Sequence, residues 1–328
     1  MEYRKLGNTD LMLSAITYGS FAIGGTMWGG TEKKEAREAI IAAIDYGVTT
    51  LDTAPFYGLG LSEELIAGAI QQMDRSKIQI LTKFGMVWDG SNNSKGDYMF
   101  DVEHQRKNYS VYKYASKANV IKEAEESLKR LKTDYIDLLQ LHWADSTTPI
   151  DETMEALQLL IDQGKIRAAG VSNYNELQML EANKSINLAS NQVPYSMLQR
   201  QIEATIIPAA LENNIGIIAY SPLERGLLSG KFFKGDSLKY SDHRNGYFAQ
   251  FDLSGIKQFL EKIEPIAIEK GISLSQLVLK WTTLQPGITI VLAGARNKEQ
   301  AISNAQSVDV TLTKAELNLI NEELARLA

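Results

Sequence analysis

Short apolar runs alternate along the chain with longer stretches of helical period. Runs at 15–18, 50–52, 78–83, 135–142, 166–172, 189–192, 216–220 and 289–293 have the length and branched-residue content of strands. Between them, Val120, Ala124, Leu128 and Leu131 share one helical face, and Met154, Leu157 and Ile161 share another. Thr148 followed by Pro149 predicts a helix cap and first helical position, with Gly164 as the stop. Thr313 and Glu316 form a capping box ahead of Leu317, Ile320, Leu324 and Leu327.

Eight strands alternating with helices fit either an open doubly wound sheet or a closed (β/α)8 TIM barrel. The open sheet usually carries a G-x-G-x-x-G turn after its first strand, and Gly19-Ser20-Phe21-Ala22-Ile23-Gly24-Gly25 lacks that spacing. The barrel is therefore the expected fold, as one domain over residues 1–328. Tyr3-Arg4 and Leu11-Met12-Leu13 flank a turn-like Gly7-Asn8, which predicts a hairpin capping the barrel bottom. Two segments break the rhythm, 84–118 and 232–255, and both are rich in aromatics. Long connections without periodicity are rare in compact domains unless they bind something. Both follow strands, so both are expected over the C-terminal face of the barrel.

Composition narrows the function. The 328 residues carry 34 basic and 40 acidic side chains, a net charge of -6, and 44% are hydrophobic. That is a globular composition with no basic surplus for nucleic acid or an anionic membrane. There is no cysteine, and the three histidines, His104, His142 and His243, are far apart, so no metal site is expected. No run is long enough to span a membrane, and the N-terminal Met1-Glu2-Tyr3-Arg4-Lys5 leads into no apolar signal segment. The expectation is a cytoplasmic protein acting on a small molecule.

In a barrel, a strand buries its middle and presents its C-terminal end, so polar residues there are the informative ones. Those ends carry Asp52, Lys83, His142, Ser172-Asn173, Gln192 and Tyr220-Ser221, with Tyr57 shortly after Asp52. Taken singly, Lys83 reads as a loop lysine, His142 as a core histidine, Tyr57 as a turn aromatic and Asp52 as a cap. Together they suggest proton transfer. A phenol with pKa near 10 is a poor donor at neutral pH. An ammonium about 4 Å away favours the phenolate by roughly 4 kcal/mol at an effective dielectric near 20. Lys83 is thus expected to tune Tyr57 toward neutrality, Asp52 to hold the lysine, and a neutral His142 to orient a carbonyl oxygen. These residues supply no electrons, so a reduction needs a hydride donor.

The same motifs in order resemble the aldo-keto reductase family of nicotinamide-dependent barrels. Leu51-Asp52-Thr53-Ala54 with Tyr57-Gly58, Ile80-Leu81-Thr82-Lys83 and Leu139-Gln140-Leu141-His142-Trp143 are similar to its catalytic segments. Gly170-Val171-Ser172-Asn173, Asn191-Gln192-Val193-Pro194-Tyr195 and Tyr220-Ser221-Pro222-Leu223 through Gly226 to Lys231 resemble its cofactor segments. Gly24-Gly25-Thr26-Met27-Trp28-Gly29-Gly30 adds a likeness to the bacterial, general-stress or sugar-related branch.

The resemblance implies that Tyr57 is the general acid, with Lys83, Asp52 and His142 around it. It implies that Ser172, Asn173 and Gln192 hold the nicotinamide carboxamide, that Tyr220 stacks on the ring, and that Ser221, Leu223 and Gly226 meet the pyrophosphate. Gly294, Arg296, Gln300 and Asn304 are implied at the adenosine end, with Lys231 and Arg244 assisting. A guanidinium suits a 2'-phosphate, so Arg296 predicts NADP(H). Position 303, commonly Glu in the family, is Ser303, which puts one adenine contact in doubt. Trp28, Trp88 and Trp143 suggest an apolar rim around a small-molecule carbonyl substrate. Two rival readings are a lyase forming a Schiff base on Lys83 and a nicotinamide-redox-sensing subunit.

Overall fold

The computed structural model describes residues 1–25, 30, 32–88, 96–235 and 244–327. The chain opens with a hairpin of β1 (Tyr3–Lys5) and β2 (Met12–Ser14), then runs through β3 (Ile16–Gly19), α1 (Lys33–Asp45), β4 (Thr50–Asp52), α2 (Leu61–Ile70) and β5 (Gln79–Phe84). An excursion follows: β6 (Met86–Val87), β7 (Asp97–His104) and β8 (Lys107–Lys113). The alternation resumes with α3 (Lys117–Leu131), β9 (Ile136–Leu141), α4 (Ile150–Asp162), β10 (Ile166–Ser172), α5 (Glu176–Ser185), β11 (Ser190–Pro194), α6 (Ile206–Glu212) and β12 (Gly216–Tyr220). Short α7 (Arg244–Phe248), then α8 (Leu253–Glu269) and α9 (Leu274–Thr283), lead to β13 (Ile288–Gly294), α10 (Lys298–Gln306) and α11 (Lys314–Ala325).

Eight of these strands close a parallel barrel in the order β3-β4-β5-β9-β10-β11-β12-β13. Closure goes with strands that are buried on both faces; β9, for example, is buried at every position. Inward-facing Leu81, Leu138, Ala168, Ile218 and Ile290 fill the lower barrel, and Leu6, Leu11 and Leu13 of the hairpin join the same cluster. The hairpin therefore plugs the bottom, each fully buried leucine contributing roughly 1.5–3 kcal/mol. Gly7 lets the plug approach: a Cβ there would lie 2.6 Å from the carbonyl oxygens of Ala189 and Asn214.

A buried carboxylate ties three elements together below the site. Asp137 accepts from Arg75 Nη2 at 2.7 Å, Arg167 Nη1 at 2.9 Å and the backbone N–H of Ile80 at 2.9 Å.

The helical faces lie as their periodicity predicts, and the Thr313–Glu316 capping box forms reciprocally. Two expectations change. Thr148 does not cap α4: its Oγ1 donates to Asp145 Oδ2 at 2.6 Å, and Pro149 takes the cap position without a side-chain hydrogen bond. Asp145 also draws the hydroxyl of Thr147 and the N–H of Ala115, and so outcompetes the helix end for Thr148. The segment 84–118 is not an aperiodic loop. It holds a three-stranded antiparallel sheet in the order β6-β8-β7 and then the start of α3.

That sheet sits over the C-terminal face of the barrel. Its Met86, Val102 and Val111 pack with Phe56, next to Tyr57, and Asp97 accepts from the N–H and hydroxyl of Ser146 in the loop after β9. Within 232–255, the described residues form a short turn, α7 and the start of α8. Among the described residues, no helix is long and apolar enough to cross a membrane.

Candidate active site

The alternation of β5 sends Leu81 and Lys83 into the barrel and Thr82 out toward α2. Lys83 Nζ donates to Asp52 Oδ1 at 2.7 Å and to the carbonyl of Thr53 at 2.8 Å, and both charged side chains are almost wholly buried. Burial opposes the lysine charge, but Asp52 and Tyr57 outweigh it and raise the pKa of Lys83. A buried pair of this kind seldom contributes to stability, so its presence at a strand end points to chemistry.

Gln192, from β11, donates its side-chain amide to the other Asp52 oxygen at 2.8 Å. Sequence reasoning sends Gln192 to the cofactor alone. The fold also commits it to Asp52.

Tyr57 stands beside this group, its ring centroid 5.0 Å from Lys83 Nζ. The turn that carries it is fixed by backbone bonds from Tyr57 N–H to the Ala54 carbonyl and from Ser62 N–H to the Tyr57 carbonyl, both 3.1 Å. A buried hydroxyl chain through Thr53, Ser62 and Ser20 braces it from below. Gly24 and Gly58 permit the closest approach. A Cβ on Gly58, whose φ is 69°, would fall 2.2 Å from the Gly24 oxygen. Phe21 packs 4.9 Å from the Tyr57 ring and His142 meets it edge-on at 5.8 Å.

His142 is held by its backbone, N–H to the Phe84 carbonyl and C=O to Asn173 Nδ2, each at 2.9 Å. Burial, and then the Lys83 charge, hold its pKa well below the ordinary imidazole value, so the ring is neutral near pH 7.

The electrostatics of Tyr57 differ from the sequence expectation. Its pKa is raised, because burial disfavours the phenolate more than Lys83 favours it, and Asp52 adds to the rise. The lysine alone acts to lower it, as the sequence suggests, but burial outweighs that pull. The carboxylate 2.7 Å from that ammonium works in the opposite direction on the phenol.

The residues expected at the cofactor form one network against this cluster. Ser172 Oγ donates to the Gln192 carbonyl at 2.8 Å, and Asn173, in the left-handed region at φ 60°, donates its N–H to the same oxygen at 2.9 Å. Tyr220 donates its hydroxyl to Asn173 Oδ1 at 2.8 Å. Beyond it, Ser221, Glu224, Arg225 and Gly226 all have positive φ, and backbone turns of this kind can aim successive amides at an anion. Leu223 closes the turn by accepting from the N–H of Gly226 at 2.9 Å.

At the far end, Arg296 is exposed and its Nη2 donates to the Gly30 carbonyl at 2.9 Å. Gln300 Oε1 accepts from Arg296 N–H at 2.9 Å and Asn304 Nδ2 donates to the Gly294 carbonyl at 3.0 Å, so both side chains brace the loop that carries Arg296. Lys231 is exposed in the short turn, and Arg244 lies over the Phe232 ring at 5.4 Å. Trp88 packs on Phe56 at 6.1 Å between ring centroids, and Trp143 is exposed beside His142. Trp28 lies outside the described residues.

One residue escaped the sequence reading. Glu224 is buried, bonded to Ser196, Gln199 and the hydroxyl of Tyr247, and it joins the left-handed run to α7. Its only signal was a carboxylate inside the glycine- and leucine-rich motif at 221–231.

Comparison with known proteins agrees with this geometry. The sequence profile of the Aldo/keto reductase family matches residues 15–325. The aldo-keto reductase YhdN of Bacillus subtilis is 37% identical over 98% of this chain and 93% of its own length. The NADH-specific methylglyoxal reductase of Escherichia coli is 31% identical over 97% and 96%. The structure of a glycerol dehydrogenase from Gluconobacter oxydans superimposes with a TM-score of 0.87 at 34% identity, covering 99% of this chain and 96% of that one. A parallel eight-stranded barrel with a buried Lys-Asp pair beside a tyrosine and a histidine, matched along nearly its whole length, belongs to the aldo/keto reductase family of oxidoreductases.

Proposed function

We propose that the protein reduces aldehydes and ketones to alcohols with NADPH, reversibly, and that Tyr57 is the proton donor. The observation that carries this is the convergence of Tyr57, Lys83, Asp52 and a neutral His142 at one barrel mouth. The cofactor segments fit a dinucleotide: a polar cluster at Ser172, Asn173 and Gln192, an aromatic face at Tyr220, and left-handed backbone at Ser221 and at Glu224, Arg225 and Gly226. Bound there, the nicotinamide supplies the hydride.

His142 and Tyr57 hold the carbonyl oxygen between them. Tyr57 keeps its proton in the resting site, as a donor must, and passes it to that oxygen as negative charge develops. Lys83 then faces the tyrosinate and stabilises it, while Asp52 keeps the ammonium in place. The apolar wall of Phe56, Trp88 and Phe100 suits substrates with an uncharged body. Lys83 is a poor Schiff-base nucleophile, because it is a charged ammonium already engaged by Asp52 and Thr53.

Tyr57→Phe is expected to leave the NADPH dissociation constant within about twofold and to lower kcat for 4-nitrobenzaldehyde by roughly 10²–10⁴-fold. Retention of most of the turnover would remove Tyr57 as the acid. Arg296→Ala is expected to weaken NADPH far more than NADH in a fluorescence titration. Equal losses would favour NAD(H), the cofactor in the name of the Escherichia coli relative. A relative in Arabidopsis thaliana, 30% identical over 94% of this chain, is named a probable voltage-gated potassium channel subunit beta. That likeness supports a sensing role as the second reading, and negligible turnover of simple aldehydes despite tight NADPH binding would favour it.

A further inference from the structure

Away from the barrel mouth, residues on and next to α1, α2 and α3 line an open groove of about 550 Å³. Five cations line it, Lys33, Arg37, Lys129, Arg130 and Lys132, against one carboxylate, Glu64. This is unusual for a chain with a net charge of -6. Lys33, Lys129 and Lys132 are exposed and form no ion pair among the described residues.

The two arginines are seated rather than loose. Arg130 crosses α2 at Gly60, where a Cβ would lie 2.9 Å from its Cδ, and Arg37 crosses at Gly68, where a Cβ would lie 2.5 Å from its Nη2. Arg130 Nε is fixed on buried Glu63 at 2.6 Å, and Arg37 Nη2 on the Gly68 carbonyl at 2.7 Å. Each guanidinium thereby keeps a fixed orientation with donors to spare. Leu61 and Leu65 also line the groove, between the two crossings in sequence.

We propose that this groove is a binding site for a small polyanion carrying two or more phosphate groups. The volume lies in the range of small-molecule sites, and two preoriented guanidiniums match two phosphates, with the three lysines supplying the surrounding positive field. None of its lining residues belongs to the cofactor or proton-transfer groups, so the site is separate from the barrel mouth.

The test uses inorganic tripolyphosphate, titrated calorimetrically at constant ionic strength, because unspecific attraction is screened by salt. The expected result is saturable one-to-one binding. It should weaken about tenfold in the combined Lys33→Ala, Lys129→Ala, Lys132→Ala variant. Aldehyde reduction by that variant should match the wild type, which shows that it is folded. Arg296→Ala should bind tripolyphosphate as the wild type does. The proposal is overturned by unsaturable heats, by equal affinity in the lysine variant, or by loss of binding in Arg296→Ala, which would place the anion at the cofactor site.

Discussion

Gln192 and Lys83 grip the two oxygens of one carboxylate: Gln192 Nε2 lies 2.8 Å from Asp52 Oδ2 and Lys83 Nζ lies 2.7 Å from Oδ1. A residue on β11 thus takes part in the electrostatics of a tyrosine carried by the loop after β4. Without the amide, the Asp52 charge would be less offset, and Asp52 already acts to raise the pKa of Tyr57. In the proposed mechanism run toward alcohol oxidation, Tyr57 accepts a proton, so the rate is expected to rise as the phenol ionises. Gln192→Ala is expected to move that rise to higher pH, by about one pH unit or less. The check is the kcat–pH profile, with the tyrosinate absorbance of the cofactor-free variant set against its Tyr57→Phe counterpart. An unmoved profile with weakened cofactor binding would mean that Gln192 serves the cofactor alone.

The Gly24–Gly58 contact sets where Tyr57 stands. Gly58→Ala combines a positive φ with a Cβ 2.2 Å from the Gly24 oxygen. The backbone must shift, at a stability cost of about 2 kcal/mol or more. Because the shifted residue adjoins Tyr57, kcat should fall at least about tenfold while NADPH affinity holds. Urea unfolding and steady-state kinetics on the same sample decide it, and normal values for both would contradict the contact.

Glu123 links stability to pH. It is buried, accepts from the Gly85 N–H at 3.0 and 3.2 Å, and burial pushes its pKa up to about 8. In the unfolded chain a glutamate ionises near 4.3. Between those values the folded protein holds the extra proton, so its contribution is fully present below the unfolded pKa and is lost as pH rises through about 8. The urea midpoint of the wild type should therefore fall across this window more than that of Glu123→Gln. Parallel curves would show that Glu123 ionises normally.

Asp137 anchors Arg75, Arg167 and the backbone of β5 through one buried carboxylate. Removing it leaves the Arg167 guanidinium and the Ile80 N–H without this acceptor, and leaves Arg75 without its carboxylate but still bonded to Thr133, Ile78 and Tyr135. Asp137→Ala is expected to destabilise the fold by about 3–5 kcal/mol in equilibrium unfolding, whereas Arg167→Ala, whose side chain is 45% exposed, should cost under about 1 kcal/mol.

The barrel and most of its polar mouth were legible because strand length, helical period and strand-end polarity are all local. The inserted sheet was not. Its β7–β8 turn places Gln105 and Arg106 at φ 50° and 63°, a turn usually announced by Asn-Gly, so the sequence carries no hairpin signal there. The direction of the Tyr57 shift was equally hidden. It depends first on burial depth and then on Asp52 opposing Lys83, neither of which a motif reveals. Gln192 was placed correctly at the mouth, but its bond to Asp52 joins residues 140 positions apart and needed the closed barrel.

The inserted sheet leaves and rejoins the barrel at almost one point, where the N–H of Tyr114 meets the carbonyl of Gly85 at 3.1 Å. The described residues between those two form an appendage in the topological sense, seated on Phe56 and tethered through Asp97. Exchanging that stretch rewrites one wall of the reaction chamber and leaves Asp52, Tyr57, Lys83 and His142 on elements outside it. If the proposed roles hold, selectivity and chemistry sit on separate pieces of chain, and the first can be altered while the second stays still.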